Sequence, residues 1–328
     1  SQVVELGEQR QARIGINDQR QQRLQGEQQI AELDLLTEVT RRFIATAAAQ
    51  QQVALQSKVV QLAEQTHAAL QALVDAGQSP RYEQIRASAA LTRSRLSLTQ
   101  ASSDLEVARI RLAAMWNSQT PDFEEVSADL LNTGTAGDLT TLLLDLADNP
   151  NLMLFANEER LRTAQLREAQ SSARGTLQWT AGLRYLREPG DAALVLGFSM
   201  PLGSKSRASG PIGAASARLQ QVESEKEVAL NRMRTQLFTL HVQLRQAIAE
   251  VNSLRDEVLP QLELVQTETY NAYQSGRYSY LELTAAQQEY LNAEYALIDA
   301  ATAAHLLRTE IEHLSGSALS AGSQELLP

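Results

Sequence analysis

Four histidines, 39 acidic residues and no cysteine are the raw material for chemistry in this chain of 328 residues. His67, His241, His305 and His313 lie scattered. The last two stand eight apart, on roughly one helical face, but without the acidic or Cys partners of an HExxH-type site. Neither a metal site nor a bound cofactor is expected. No glycine-rich phosphate loop, nucleophile elbow or clustered acid pair occurs, so the chain reads as a non-enzyme. Two carboxylates do hold matched positions: Glu83 and Glu282 each stand six residues beyond a glycine, Gly77 and Gly276. The helix dipole favours a solvated charge of this kind in a first turn.

The elements that place these carboxylates are long helices. Aromatics make up 5% of the residues, and Ala, Leu, Gln, Glu and Arg fill long stretches free of Pro and Gly. That is the profile of helices packed through small side chains. Residues 8–76 form one helical reading, with Leu33, Leu36, Val39, Phe43, Val59, Leu62, Leu70 and Leu73 at helical spacing. Its clean part spans about 90–100 Å. Gly77-Gln78-Ser79-Pro80 stops it, and Pro80 suits the start of a second helix from about Arg81 to Trp116. The first hairpin thus covers 8–116. Residues 117–148 form a punctuated linker with a short helix at about 138–147. Asn149-Pro150 caps a further helix, 149–175. A second long helix is expected from about Ala214 to Ser275, kinked at Pro260, then a tip at Gly276–Ser279 and a last helix from Tyr280 to Leu314. The second hairpin covers 204–318, and 319–328 is a frayed tail.

Between the hairpins the period falls to two. Leu177, Trp179, Ala181, Leu183 and Tyr185 alternate with Gln178, Thr180, Gly182 and Arg184. After the turn Glu188-Pro189-Gly190-Asp191, Leu194, Leu196, Phe198, Met200 and Leu202 form the apolar side. Two strands of about ten residues with one greasy face match barrel strands crossing a bilayer, or equally a hairpin half-buried in a soluble domain. Trp179 and Tyr185 suit an aromatic girdle or plain strand packing, and Arg184 falls on the polar, lumen-facing side. No run of about 18 apolar residues exists, so no membrane-spanning helix is expected. The net charge of −10 leaves no basic stripe for nucleic acid.

The halves repeat. Val4-Glu5-Leu6-Gly7 aligns with Met200-Pro201-Leu202-Gly203, Gly77 with Gly276, Glu83 with Glu282 and Ala87 with Ala286. The offset grows from 196 to 199, which places three inserted residues in Ser209–Gly213. Each copy reads strand, long helix, tip, helix. The second copy is also preceded by a helix and a strand, so the opening "SQVVELGEQRQ" is expected to be the middle of a longer unit.

These segments together resemble the TolC family of outer-membrane efflux proteins. "VVELGEQRQARI" is similar to a segment of the CzcC/CusC-like heavy-metal branch, although Glu8 and Gln9 depart from it. "VLPQLELVQTETYNAYQSGRYSYLELTAAQQEYLNAEYAL" resembles the family's second helical hairpin, including Pro260 and Gly276. The resemblance implies a mainly α fold: long antiparallel hairpins forming an α-barrel, a short transmembrane β-barrel from strands 1–7 and 176–203, and a pseudo-twofold repeat. It implies a homotrimer in a Gram-negative outer membrane with its helices in the periplasm. The function implied is a passive exit duct of a tripartite pump for cations, metal ions or other toxic compounds. Its partners would be a periplasmic adaptor, an inner-membrane RND pump and outer membrane lipid. Glu83 and Glu282 match positions lining the tunnel entrance, where six carboxylates would favour cations by field; a first-turn charge remains the simpler reading. Tyr273 matches a position that holds the entrance shut, with Arg277 beside the same turn; ordinary tip packing is the alternative. Gly77, Ser79, Pro80, Gly276 and Ser279 would meet the adaptor. Trp179, Leu183, Tyr185, Leu194, Leu196 and Phe198 would face lipid.

A periplasmic adaptor-like coiled-coil protein is the rival reading, since adaptors also use long helical hairpins. It would need a soluble β domain between its helices, where this chain shows one greasy strand pair. A coiled-coil scaffold would show sustained heptads and no strands.

Overall fold

The computed structural model of the chain describes residues 2–5, 9–173, 176–185, 192–199 and 204–316. The expected turn Glu188-Pro189-Gly190-Asp191, the segments Leu6-Gly7 and Met200–Gly203 and the tail 319–328 lie outside the described residues, as do the side chains of Arg184 and Tyr185.

Among the described residues three strands and seven α-helices follow one another: β1 (Gln2–Glu5), α1 (Gln9–Asp75), α2 (Arg81–Ala113), α3 (Leu139–Asp145), α4 (Pro150–Ser172), β2 (Thr176–Tyr185), β3 (Ala192–Ser199), α5 (Ser204–Ser253), α6 (Leu259–Gln274) and α7 (Tyr280–Ser315). The chain divides into two compact units, Ser1–Leu33 with Leu144–Thr235, and Asp34–Leu143 with Gln236–Pro328.

In the first unit the strands pair antiparallel in the order β1-β2-β3. The register sets Trp179 against Phe198, Ala181 against Leu196 and Leu183 against Leu194. Opposed residues share a face, so the alternation read from sequence becomes one apolar surface. Gln178, Thr180 and Gly182 meet Ser199, Gly197 and Val195 on the other face. Where the helices begin, the Gln9 amide donates to the Ser171 carbonyl at 3.3 Å, tying the start of α1 to the end of α4. Asn149 caps α4 by accepting from the Asn151 amide at 2.7 Å, with Pro150 at the first helical position.

One helix boundary differs from expectation, and the proline in the long helix gains a local detail. Helix α5 starts at Ser204, not near Ala214, and runs through Pro211, so the "SGPIG" stretch is helical. Pro211 lies inside the helix, past the four free N–H groups of the first turn, so it removes one bond and crowds a carbonyl one turn back without ending a helix that runs for 50 residues. At Pro260 the long helix carries a π turn, Leu254–Val258, just upstream. Such a wide turn takes up the bond and the space that a proline ring removes.

In the second unit α7 is the core helix, burying 15 residues, whereas α2 buries four, Ala87, Leu105, Leu112 and Ala113. Ile44 and Leu55 of α1, Leu130, Val251 of α5 and Leu291, Leu297 and Ile298 of α7 pack together. Polar pairs fix the neighbours. Arg95 meets Glu64 at 2.7 Å between α2 and α1. Between α1 and α7, Lys58 meets Glu294 at 2.6 Å, Gln56 donates to the Tyr295 hydroxyl at 2.6 Å, and Arg41 pairs with Glu310. Helix α6 packs on α7. The non-helical stretch after α2 is strapped down through its own carbonyls: His305 bonds Leu130 O at 3.0 Å, His241 bonds Gly137 O at 3.2 Å, and Arg308 donates to Thr133 and Thr135. Burial holds His305 below its ordinary pKa, against the Leu130 bond that raises it.

Candidate pore entrance

The two tips are built alike. Gly77 (φ 74°) and Gly276 (φ 70°) adopt the left-handed conformation that only glycine takes cheaply. At the first tip Gly77 N bonds Val74 O at 3.0 Å and Gln78 N bonds Leu73 O at 2.8 Å; at the second, Gly276 N bonds Tyr273 O and Arg277 N bonds Ala272 O, both at 2.9 Å. This is the same helix-ending motif twice, 199 residues apart.

The capping that follows differs. Ser279 and Glu282 form a capping box: the Ser279 hydroxyl accepts from the Glu282 amide at 3.3 Å, and the Ser279 amide donates to the Glu282 carboxylate at 2.7 Å. Those Ser279 bonds hold the exposed Glu282 carboxyl below its ordinary pKa. At the first tip Pro80 occupies the equivalent position and offers no side-chain cap, so the Glu83 carboxylate instead accepts from the Ser79 hydroxyl at 2.8 Å.

Behind the turns lies a small core joining both hairpins: Leu70 of α1, Ala87 of α2, Tyr273 of α6 and Tyr280 and Leu283 of α7. Tyr273 is 4% exposed, and its hydroxyl finds no hydrogen-bond partner among the described residues. Burial, the nearby Glu83 charge and Tyr280 push its pKa up to about 12. Burial also raises Tyr280, opposed by Arg86 and aided by Glu83. The fold therefore brings Glu83 and Tyr273 together. Glu282 turns back on its own cap, and Arg277 bonds Ser275 of its own turn at 3.0 Å. Tyr280, Arg86 and Leu283 were missed as members of this cluster. The spacing from Gly276 placed Tyr280 in the first turn, but no periodicity says which helix it faces.

On the strand pair, Trp179 (55% exposed), Leu183 (83%), Leu196 (71%) and Phe198 (75%), with Leu194, form a bare apolar face. Among the described residues no helix is long and apolar enough to cross a membrane, and no three His, Asp or Glu residues gather to hold a metal ion.

No protein-family model matches the chain. Against CusC, whose crystal structures concern the conformational changes accompanying folding and transmembrane channel formation, the TM-score is 0.80 at 15% identity, covering 96% of this chain and 76% of that one. The chain has the fold of a TolC-type outer membrane channel. VceC of Vibrio cholerae, an outer membrane protein, gives a TM-score of 0.75 at 17% identity, over 96% of this chain and 77% of that one. The cobalt-zinc-cadmium resistance protein CzcC of Cupriavidus metallidurans is 23% identical over 315 residues, 95% of this chain and 75% of the relative. The TolC-type fold expected from the sequence is the fold of these structures, and nothing in these likenesses favours the adaptor reading.

Proposed function

We propose that this chain is the outer membrane channel subunit of a tripartite efflux system, a passive duct with no catalytic step. The observation that carries the reading is the bare apolar face of β2 and β3 on a chain with this fold. In lipid the face is satisfied, but an edge strand is not, so the sheet must close with copies of itself. Three copies do so. Strands β1, β2 and β3 belong to the barrel, with Trp179, Leu183, Leu194, Leu196 and Phe198 toward lipid in a Gram-negative outer membrane. The hairpins 8–116 and 204–318, the linker 117–148 and the helix 149–175 stand in the periplasm.

Function is concentrated at the tips. Gly77, Ser79, Pro80, Gly276 and Ser279 meet a periplasmic adaptor, which links the duct to an inner-membrane RND pump. Glu83 and Glu282 line the entrance, and Tyr273 and Arg277 hold it shut. The cargo is a cation; the CzcC relative's resistance to cobalt, zinc and cadmium supports a metal ion. Fractionated cells and planar bilayers test the reading. Protein extracted from the outer membrane as a trimer with single-channel conductance is expected, whereas a soluble monomer without conductance overturns it.

A further inference from the structure

The three helices of the first unit that adjoin the strands in sequence, α1, α4 and α5, border an open cleft of about 660 Å³. Buried Ile16 of α1 and Ala169 of α4 belong to its lining. Its charged groups are three exposed arginines, Arg13 and Arg20 of α1 and Arg218 of α5, against one carboxylate, Glu168 of α4. Arg13 and Arg20 stand two turns apart and share a face of their helix. In a chain of net charge −10, this local excess of positive charge runs against the composition. A cleft walled by one sign of charge concentrates its field in the gap.

A second cleft shares Arg20 with the first, but there the other arginines are cancelled. Arg23 meets Glu27 at 3.0 Å and Glu158 at 3.4 Å, and Arg162 meets Glu158 at 2.6 Å. Among the described residues Arg20 and Arg218 make no such pair. Arg162 also donates to the Gln165 side-chain carbonyl at 3.0 Å. That bond fixes the Gln165 amide with its NH2 group to spare as a donor, and Gln165 lines both clefts. Guanidinium forks and an amide donor on several sides match an anion with several oxygens better than a single flat carboxylate.

Depth narrows the source. At 1.5 Å per residue Arg13 stands about 6 Å and Arg20 about 17 Å along α1 from Gln9, its first residue. The headgroup layer of a bilayer is about 5–8 Å deep on each side. With the strands in the membrane, Arg13 reaches headgroup depth and Arg20 stands below it, in water. We propose that this cleft binds a phosphate group, gripped by Arg20 and Arg218, with Arg13 on the membrane side and the Gln165 NH2 as a further donor. A lipid headgroup and a dissolved phosphate both carry this chemistry. The site lies within one copy, so it stands or falls separately from the association and conductance proposed above.

Full-length protein in detergent is titrated with inorganic phosphate, chloride being withdrawn to hold ionic strength, and separately with phosphatidylglycerol doped into the micelles. The rise in Tm reports binding. A saturable rise is expected. A response to inorganic phosphate alone assigns a dissolved ligand, one to phosphatidylglycerol alone a headgroup, and one to both the shared phosphate chemistry. Arg20→Gln with Arg218→Gln should weaken the affinity about tenfold. Arg167→Gln with Arg232→Gln removes the same charge from exposed positions of this unit outside the cleft and should leave it unchanged. Glu168→Gln, which removes the opposing carboxylate, should tighten it. The site is overturned by no rise with either probe, by parental affinity in Arg20→Gln with Arg218→Gln, or by an equal loss in the control pair. Binding no tighter in Glu168→Gln also overturns it.

Discussion

The carboxylate of Glu83, on the first hairpin, and the buried hydroxyl of Tyr273, on the second, are electrostatic neighbours across the tip core, and Tyr273 is held neutral by burial and by that charge. The hydroxyl is buried without a hydrogen-bond partner among the described residues, which is a cost in the state described. Tyr273→Phe should therefore be neutral or stabilising by up to about 1 kcal/mol, measured by urea denaturation. If entrance closure depends on the hydroxyl, the same variant raises conductance, and the two readouts separate packing from gating.

The pH dependence has a definite sign. Tyr273 loses its proton at about 12 when folded against 10.0 ordinarily. Its contribution to stability is fully present below pH 10 and is lost as pH rises through 12, because the unfolded chain ionises first. Alkaline unfolding should begin above pH 10 and be blunted in Tyr273→Phe. An unfolding curve flat to pH 12 in the parent would contradict the burial of this hydroxyl.

Lys58 is one of three polar ties between α1 and α7 named above. Its ammonium contacts the Tyr290 hydroxyl, reaches Glu294 at 2.6 Å and lies 4.6 Å from the Tyr290 ring centre. Burial depresses its pKa, but the bonds to Glu294 and Tyr290 outweigh that and leave it raised. Half of the side chain is exposed, so the ion pair is screened. A Lys58→Met, Glu294→Gln cycle should show a coupling of only about 0.5–1 kcal/mol by denaturation.

How much of this could be read from the residues depends on range. The glycine stops and the period-two strands are local signals, and they marked the tips and the apolar β face without any knowledge of packing. The repeat tied Glu83 to Glu282, but their bonding diverges because Pro80 stands where Ser279 caps the second tip. That difference is visible in sequence only once the alignment is trusted residue by residue. The meeting of Leu70, Ala87 and Tyr273 is not local at all. Pro211 and its two neighbouring glycines look like a break, yet the helix runs through them, carrying the lost bond and the crowded carbonyl of an interior proline. The histidines looked idle for the same reason: His241 and His305 bind carbonyls of a stretch far away in the chain, and His313 meets Asp34 at 2.7 Å.

Gly26 tests the helix packing of the first unit. A Cβ there would come within 2.9 Å of the Asn157 side chain on α4 and 3.5 Å of Leu154. Gly26→Ala gains helix propensity of about 1 kcal/mol but must displace Asn157. The single variant should be destabilised or neutral, and adding Asn157→Ala should release the clash and leave a net gain of up to about 1 kcal/mol, read as a shift in Tm. A gain from Gly26→Ala alone would mean that α1 and α4 lie further apart than described.

The entrance proposal predicts selectivity, and the two carboxylates should not contribute alike. Glu282 is bonded to its own cap, so Glu282→Gln changes a helix terminus as well as a charge. Its stability contribution is present above the ordinary carboxylate range and is lost as pH falls through the lowered pKa, so the variant should cost stability at pH 7 but little in acid. Glu83 makes no backbone cap through its side chain, and its removal should alter the field with less effect on folding. In a planar bilayer, reversal potentials under a salt gradient should show cation preference falling in Glu83→Gln and falling further in the double variant. Field-based selectivity is screened within about 10 Å at 0.1 M salt, so the difference should widen as salt is lowered. If the double variant keeps the parent's reversal potential at low salt, the two residues are first-turn charges and nothing more.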